Sequence, residues 1–194
     1  SQREYGSSIS FLTGHEDLKK DSLRVDFAKF AEVGGTLCIY MGMSKLEEIV
    51  DRLLKGGLSP DKPAVVVSHG TLPKQRKVMC SLGELVTKTR EDGLSAPAVI
   101  FIGNAVGLAK QVNWFEDRPL FGRRFVVTRS SEQNGEMKSR LQNMGADVLE
   151  LPLIKILPTQ NKKLVAEVFA GIATYEWAVF TSANGAREFL RIFF

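Results

Sequence analysis

Four short loops that follow β-branched runs carry the residues best placed to bind a ligand. Each loop combines glycine with polar or thioether side chains at the point where a predicted strand ends. The loops are Tyr40-Met41-Gly42-Met43, Ser68-His69-Gly70-Thr71, Gly103-Asn104-Ala105-Val106-Gly107 and Thr181-Ser182-Ala183-Asn184-Gly185. Glycine lets backbone approach a ligand closely, and a following helix presents free N–H groups to anions. A plain turn between strand and helix is the alternative interpretation for each single glycine.

Residues suited to metal binding or acid–base chemistry are sparse. Histidine occurs only at His15 and His69, without a cysteine or carboxylate at ligand spacing, so the sequence predicts no metal site. For His69 a base role is one interpretation, and a structural hydrogen bond is the one we favour. The sequence shows no Ser/His/Asp set, no close acid pair and no GxGxxG fingerprint, so we assign no catalytic residue.

Other residues in these loops have two interpretations each. Met41 and Met43 either line an apolar pocket for a flat ring or belong to the core. Thr181-Ser182 either caps a helix or binds a carboxylate. Cys38 and Cys80 lie in apolar runs without a CxxC spacing, and we interpret them as buried small hydrophobic residues.

The loops connect alternating strand-like and helix-like segments. This alternation predicts an α/β fold with parallel strands joined by helices. Strands are predicted over residues 36–41, 64–67, 98–102, 125–128, 148–151 and 177–181. Ser44 is expected to cap a helix that stops at Gly56-Gly57. Further helices are predicted over residues 82–90, about 162–172 and 183–192.

Composition limits the classes of function. The 194 residues are 44% hydrophobic and 25% charged, as in an ordinary globular protein, and the formal net charge is +4. Basic residues fall in short groups rather than on one face, so we expect no nucleic-acid partner. No apolar stretch approaches the ~20 residues that cross a bilayer, and the first residues lack a signal-peptide pattern. We expect a soluble cytoplasmic protein without a membrane partner.

The strand–helix pattern restarts after the segment Asn113-Trp114-Phe115-Glu116-Asp117-Arg118-Pro119. We therefore place one domain at residues 1–118 and a second at residues 119–194. The chain ends on Leu190-Arg191-Ile192-Phe193-Phe194, whose apolar side chains have no following element to bury them. We expect the chain to be a fragment of a longer protein.

Residues from about 13 to 115 resemble the C-terminal lobe of tetrapyrrole methylases that use S-adenosylmethionine. The motifs are Thr13-Gly14-His15-Glu16, Gly35-Thr36-Leu37 with Tyr40-Met41-Gly42, and Gly70-Thr71-Leu72-Pro73-Lys74-Gln75-Arg76. Pro97-Ala98, Ile102-Gly103 and Asn113-Trp114-Phe115 are similar to the uroporphyrinogen-III C-methyltransferase branch. The resemblance covers about half of the chain.

This resemblance implies C-methylation of uroporphyrinogen III to precorrin-2, for sirohaem and cobalamin biosynthesis, with S-adenosylhomocysteine as product. It implies cofactor binding by Tyr40, Met41, Gly70 and Thr71, and binding of the tetrapyrrole substrate by Arg3. It also implies a homodimer. The family's first lobe, which carries a glycine-rich cofactor loop, would precede Ser1, so we expect the parent protein to be the enzyme and these residues alone to be inactive.

From Pro119 onward the sequence resembles the opening of uroporphyrinogen-III synthase. The motifs are Pro119-Leu120-Phe121-Gly122-Arg123-Arg124 with Val126-Val127-Thr128-Arg129, Gly145-Ala146-Asp147-Val148, and Trp177-Ala178-Val179-Phe180-Thr181-Ser182. The resemblance implies a synthase that closes hydroxymethylbilane into a macrocycle and inverts its last ring. It implies that Thr128, Arg129, Thr181 and Ser182 face the cleft where the carboxylates of the substrate bind.

Two alternatives to the methyltransferase stay open at this point. The first is that the synthase activity is the defining function of the parent protein. The second is a non-catalytic binding or dimerisation module with the same fold, which would bind neither the adenosyl cofactor nor a tetrapyrrole. Titration with S-adenosylhomocysteine separates the second alternative from the enzymes.

Overall fold

The computed structural model describes residues 5–14, 25–130, 134–155, 157 and 159–194. Its first part contains a five-stranded sheet and three helices. The strands are β1 (Ile9–Thr13), β2 (Thr36–Tyr40), β3 (Pro63–Ser68), β4 (Arg76–Ser81) and β5 (Ala98–Ile102). The helices are α1 (Phe27–Val33), α2 (Leu46–Lys55) and α3 (Leu85–Glu91). A 3-10 segment, Asn104–Lys110, follows β5.

The second part contains a two-stranded sheet and three further helices. The strands are β6 (Arg124–Val127) and β7 (Asp147–Glu150), which pair in parallel. The helices are α4 (Asn134–Asn143), α5 (Lys162–Ala170) and α6 (Ala183–Phe193). The α/β class that the sequence predicts is confirmed.

The directions of the strands in the large sheet differ from the prediction of a parallel sheet. Its order is β1-β2-β5-β3-β4, and only β1 and β2 run parallel, whereas every other neighbouring pair is antiparallel. The prediction was wrong because strand direction cannot be read from the sequence pattern. Buried side chains recur every two residues in parallel and in antiparallel sheets alike. As a result β2 and β3 run in the same direction on either side of β5. Their carboxyl ends meet the start of β5 at one edge.

The core lies between one face of this sheet and helices α1 to α3. In α2 the apolar residues Leu46, Ile49, Val50 and Leu53 fall on one helical face, and all four are buried. Alternate strand residues meet them from the sheet: Leu12, Leu37, Ile39, Ala64, Val66, Val78, Ile100 and Ile102. Burial of this face fixes the register of the strands, because a slip of one residue would turn every core side chain outward.

The structure corrects two of the predicted helix boundaries and confirms a third. Ser44 does not cap α2, because it lies inside a 3-10 turn, Met43–Lys45, that precedes the helix. The predicted helix over residues 82–90 begins with another 3-10 turn, Leu82–Glu84, before α3. Gly56 does end α2, as predicted.

The prediction of a strand over residues 177–181 was wrong. Trp177 and Val179 are 84% and 83% exposed, and within the described residues β6 and β7 pair only with each other. A strand needs a neighbour for its backbone hydrogen bonds, and this segment has no such neighbour in the described part of the chain. The sequence prediction also missed β1, β4 and α1.

None of the helices in the described part of the chain is both long and apolar enough to cross a membrane.

Candidate functional site

A cavity of about 630 Å³ opens at the edge where β2 and β3 end and β5 begins. We call it the strand-end cavity. Its size lies within the range of ordinary ligand pockets. It is lined by Tyr40, Met41, Met43, Ser44, Val67, His69, Gly70, Leu72, Ala96, Pro97, Ala98 and Val99. Most of these groups are apolar, so the cavity suits a ligand with a flat or apolar surface.

The first wall of the cavity is the Met41 loop, residues 41–45, which follows β2. Met41 has a φ of +53°, which is unusual for a non-glycine residue, and its side chain is 61% exposed. The backbone N–H of Gly14 donates to the carbonyl of Tyr40 over 2.7 Å. A Cβ at Gly14 would lie 2.5 Å from the Cα of Gly42, so the end of β1 packs backbone against backbone on this loop.

The second wall is the Thr71 loop, residues 69–75, which connects β3 to β4. His69 and Thr71 have φ values of +52° and +65°. Together with Met41 they are the non-glycine residues with positive φ in the described part of the chain. All three lie in the two loops that border one cavity. Such conformations cost energy and cluster at ligand-binding sites, which marks this edge as the candidate site.

Hydrogen bonds hold the Thr71 loop against the start of β5. The backbone N–H of His69 donates to the carbonyl of Pro97 over 2.9 Å, and the N–H of Leu72 donates to the carbonyl of His69 over 3.1 Å. The His69 ring makes the structural hydrogen bond that the sequence suggested, because its Nδ1 lies 2.9 Å from Ser68 Oγ.

A polar cluster supports the Thr71 loop from outside the cavity. The Thr71 N–H donates to Gln75 Oε1 over 2.8 Å, and Gln75 Nε2 donates to Glu116 Oε1 over 2.9 Å. Lys77 Nζ lies 2.6 Å from Glu116 Oε2 and also bonds Asn113. Sequence reasoning missed these residues, because Glu116 is 41 positions from Gln75 and no local spacing connects them.

The electrostatics of the cluster and the cavity differ. Partial burial by itself would raise the pKa of Glu116. Hydrogen bonds from Lys77 and Gln75 and the positive charge of Lys77 have a larger, opposite effect, so the net pKa of Glu116 is lowered. In the cavity wall, the neighbouring Cys38 thiol raises the pKa of Tyr40, and burial raises the pKa of Cys38. Glu116 is therefore charged at neutral pH, whereas Tyr40 and Cys38 are protonated.

The four candidate loops do not all reach this edge. Gly103 lies at the opposite end of β5, where its N–H donates to the carbonyl of Pro63 over 2.9 Å. The antiparallel direction of β5 separates it from Met41 and His69, so this predicted loop does not belong to the strand-end cavity. Arg3 and His15 lie outside the described residues.

The residues predicted for the second site lie in the second part of the chain. Thr128 and Arg129 follow β6, and their carbonyls accept hydrogen bonds from Leu153 N–H and Asn134 Nδ2. Thr181 and Ser182 precede α6, where Ser182 Oγ accepts from the Gly185 N–H over 3.1 Å and caps the helix. Among the described residues no hydrogen bond connects the two pairs, so their common cleft stays a prediction.

No group of three or more His, Cys, Asp or Glu side chains in the described ranges is arranged to hold a metal ion. The strand-end cavity instead offers apolar side chains and backbone groups. This arrangement can bind and orient a ligand.

Comparison with known families assigns the two parts separately. Residues 3–86 match the model of the tetrapyrrole (corrin/porphyrin) methylases, and residues 135–194 match that of uroporphyrinogen-III synthase HemD. The chain therefore joins a region similar to the methylases to a region similar to the synthase. Both resemblances that the sequence predicts are confirmed, and the methylase-like region contains both loops of the strand-end cavity.

Two curated relatives align along almost the whole chain. The porphyrin biosynthesis protein HemD of Ruminiclostridium josui is 33% identical over 97% of this chain and 37% of its own length. The uroporphyrinogen-III C-methyltransferase of Bacillus subtilis is 32% identical over 98% of this chain and 39% of its own length. The chain thus spans about two fifths of these relatives.

Other relatives match a smaller share of the chain. The siroheme synthase of Thiobacillus denitrificans is 39% identical over 59% of this chain and 24% of its own length. A solved structure of uroporphyrin-III C-methyltransferase from Thermus thermophilus, in complex with S-adenosylhomocysteine, is 25% identical over 56% of this chain and 47% of that chain, with a TM-score of 0.46.

Proposed function

We propose that the chain is part of an S-adenosylmethionine-dependent uroporphyrinogen-III C-methyltransferase. The parent enzyme would methylate uroporphyrinogen III to precorrin-2, for sirohaem and cobalamin biosynthesis, and release S-adenosylhomocysteine. One observation carries the proposal: the methylase-like residues Tyr40, Met41 and Gly70 line one cavity beside Thr71. Family resemblance and geometry therefore select the same edge of the sheet.

In this proposal the cavity binds and orients the adenosyl group of the cofactor. Met41 and Tyr40 supply apolar contact, and the backbone of Gly70 and Thr71 supplies polar groups close to the ligand. S-adenosylmethionine brings an activated methyl group on its sulfonium, so the chain itself needs no general base for that activation. The role of these residues is to place the reactants and to exclude water, which supplies much of the rate enhancement in such reactions.

Substrate binding requires cations, because uroporphyrinogen III carries many carboxylates. Arg3 is the residue that the resemblance assigns to this role. Its contribution is a proposal, since it lies outside the described residues.

The test is methyl transfer from labelled S-adenosylmethionine to uroporphyrinogen III by the parent protein and by the 194-residue chain. We expect activity in the parent, loss of activity in its Met41→Ala variant, and no effect of Val33→Ala, which changes an exposed residue outside the cavity. An inactive parent, or an active parent that tolerates Met41→Ala, would contradict the proposed site.

A second activity is favoured by the match of residues 135–194 to uroporphyrinogen-III synthase. We propose that the parent is bifunctional and also cyclises hydroxymethylbilane, with Thr128, Arg129, Thr181 and Ser182 binding substrate carboxylates. Measuring uroporphyrinogen III formation by the parent and its Arg129→Ala variant tests this. Absence of cyclisation in an otherwise methylating parent would exclude the second activity without affecting the first.

We further propose a cytoplasmic homodimer. The exposed side chains of Ile9 and Phe11 on β1 support an interface, because apolar patches at a surface mark sites of association. Light scattering on the parent gives the solution mass, and a monomer would contradict the dimer.

If the parent neither binds S-adenosylhomocysteine nor shows either of the two enzymatic activities, the non-catalytic binding module is favoured instead.

A further inference from the structure

The Thr71 loop contains a backbone conformation that is unfavourable for a residue with a side chain. Thr71 adopts a φ of +65° without being glycine, so other contacts must compensate for the cost of this conformation. Its hydroxyl donates to the adjacent Gly70 carbonyl over 2.6 Å, which is a local contact. Its backbone N–H is bound by the side chain of Gln75 over 2.8 Å. The side chain of Gln75 therefore helps to hold Thr71 in this conformation.

Gln75 is itself oriented by Glu116. A primary amide has one acceptor and one donor end, and here Oε1 accepts from Thr71 while Nε2 donates to Glu116 Oε1. A carboxylate at position 116 can only accept, so it selects the amide rotamer that presents Oε1 to Thr71. The path Thr71–Gln75–Glu116 is thus a relay in which each group fixes the next.

The far end of the relay is held by further contacts. The side chains of Glu116 and Lys77 are 18% and 26% exposed, and their ion pair of 2.6 Å is therefore shielded from water more than a surface pair. Lys77 also bonds Asn113, and Asn113 Nδ2 donates to Asp117 Oδ1 over 2.8 Å. The segment 113–118 consequently presents Glu116 in one position.

The same segment contacts the second part of the chain. The Arg118 guanidinium lies 4.7 Å and 4.6 Å from the ring centroids of Trp114 and Phe115. The Phe115 ring packs edge-on against Phe121 at 5.8 Å between centroids. A Cβ at Gly145 would lie 2.8 Å from the Cβ of Arg118, which shows how closely the segment and the second part pack.

We propose that Glu116 is a positioning residue for the cofactor site, acting through Gln75 to set the orientation of the Thr71 loop. Glu116 lies outside the strand-end cavity and outside the residues that match the methylase family, which end at residue 86. The inference rests on the proposed function for the identity of the ligand. The relay itself does not depend on that identity and can be tested without any ligand.

The test uses the fact that each hydrogen bond of the relay has a fixed donor and a fixed acceptor. In Gln75→Glu the new carboxylate lies next to the Glu116 carboxylate with no donor between them. Charge repulsion should turn it away from Glu116, so the hydrogen bond from the Thr71 N–H is lost. Adding Glu116→Gln restores a donor, because the new amide can donate to position 75 and accept from Lys77. Glu116→Ala removes the far partner altogether. Glu32→Gln is the matched control, because it makes the same change from carboxylate to amide at an exposed residue of α1 that is not part of the relay.

The first readout is the rate at which the Thr71 amide proton exchanges with water, measured by NMR on the 194-residue chain. We expect this rate to rise about fivefold to tenfold in Gln75→Glu and in Glu116→Ala, the range that corresponds to one lost hydrogen bond. The double variant should return to near the original rate, and Glu32→Gln should not change it. Rescue by the swapped pair is a result that simple destabilisation would not produce.

The second readout is the Kd for S-adenosylhomocysteine of the parent protein. We expect the Kd to follow the exchange rates. Binding should be weaker in Gln75→Glu and in Glu116→Ala, and it should recover in the double variant. If the parent does not bind S-adenosylhomocysteine, the proposed function fails while the exchange rates still decide the relay. Unchanged Thr71 exchange in both single variants, or a double variant that exchanges as fast as Gln75→Glu, would overturn the proposal.

Discussion

Backbone conformations at three residues single out the candidate site. The sequence located the loops correctly, because Gly42 and Gly70 stand beside β-branched runs. It did not predict that Met41, His69 and Thr71, rather than their glycine neighbours, adopt positive φ. That detail depends on contacts between strands distant in sequence, such as the hydrogen bond from His69 to Pro97. Met41 and His69 line the strand-end cavity, and Thr71 lies beside it.

Replacing Met41 with alanine should weaken ligand binding and leave stability unchanged. The side chain is 61% exposed in the free protein, so its loss removes little from the core. Contact of this side chain with an adenosyl group would bury it, and we expect the Kd for S-adenosylhomocysteine to rise about tenfold. Calorimetry and thermal unfolding measure the two effects, with Val33→Ala as the control. An unchanged Kd would remove Met41 from the site.

Glu116 should make stability depend on pH. Its pKa is lowered in the folded chain, so its contribution is present above the ordinary glutamate pKa of about 4.3 and is lost as pH falls through the lower folded value. We expect Glu116→Gln to be less stable than the original chain at neutral pH, and the difference to shrink in acid. Urea unfolding at several pH values measures this. A difference independent of pH would show that the charge of Glu116 is not stabilising.

Individual elements were predictable where a buried face gives a clear period. β2, α2 and β5 follow directly from their apolar spacing, and β5 was predicted with the bounds that the structure shows. β4 was missed because Arg76, Lys77 and Ser81 give it a polar sequence, although it pairs along its whole length with β3. Strand direction could not be predicted, and it decides which loops share an edge.

The packing of β1 against the Met41 loop can be tested at Gly14. A Cβ at this position would lie 2.5 Å from the Cα of Gly42, and backbone cannot move aside as a side chain can. We expect Gly14→Ala to lower the free energy of unfolding by about 1–3 kcal/mol. Gly107→Ala is the control, because nothing lies within 4 Å of a Cβ there. Equal stability of the two variants would show that β1 does not pack on this loop.

The reactivity of the two cysteines tests how deeply β2 and β4 are buried. Cys38 lies on β2 and is 1% exposed, whereas Cys80 on β4 is partly exposed, and both are free thiols. Burial raises the pKa of both thiols. We expect iodoacetamide to modify Cys80 well before Cys38, as followed by peptide mass spectrometry, and to modify both equally in urea. Faster modification of Cys38 would contradict the buried position of β2.

Most of the buried core lies in the methylase-like part of the chain. The buried apolar cluster consists of residues from the large sheet, its three helices and their connections. By contrast α5 and α6 contain no buried residue among those described, although Phe169, Phe189 and Phe193 stack on one another. The division at residues 118 and 119 stays a prediction, and contacts between Arg118, Phe121 and Gly145 show that the chain packs across it.

The central claim is that the strand-end cavity binds the adenosyl group of the cofactor. Titration of the ¹⁵N-labelled chain with S-adenosylhomocysteine, followed by two-dimensional NMR, tests it directly, because this method detects weak binding residue by residue. We expect saturable shifts in residues 40–43 and 69–72, with Thr128 and Ser182 unchanged. Shifts confined to other parts of the chain, or none at millimolar ligand, would contradict it.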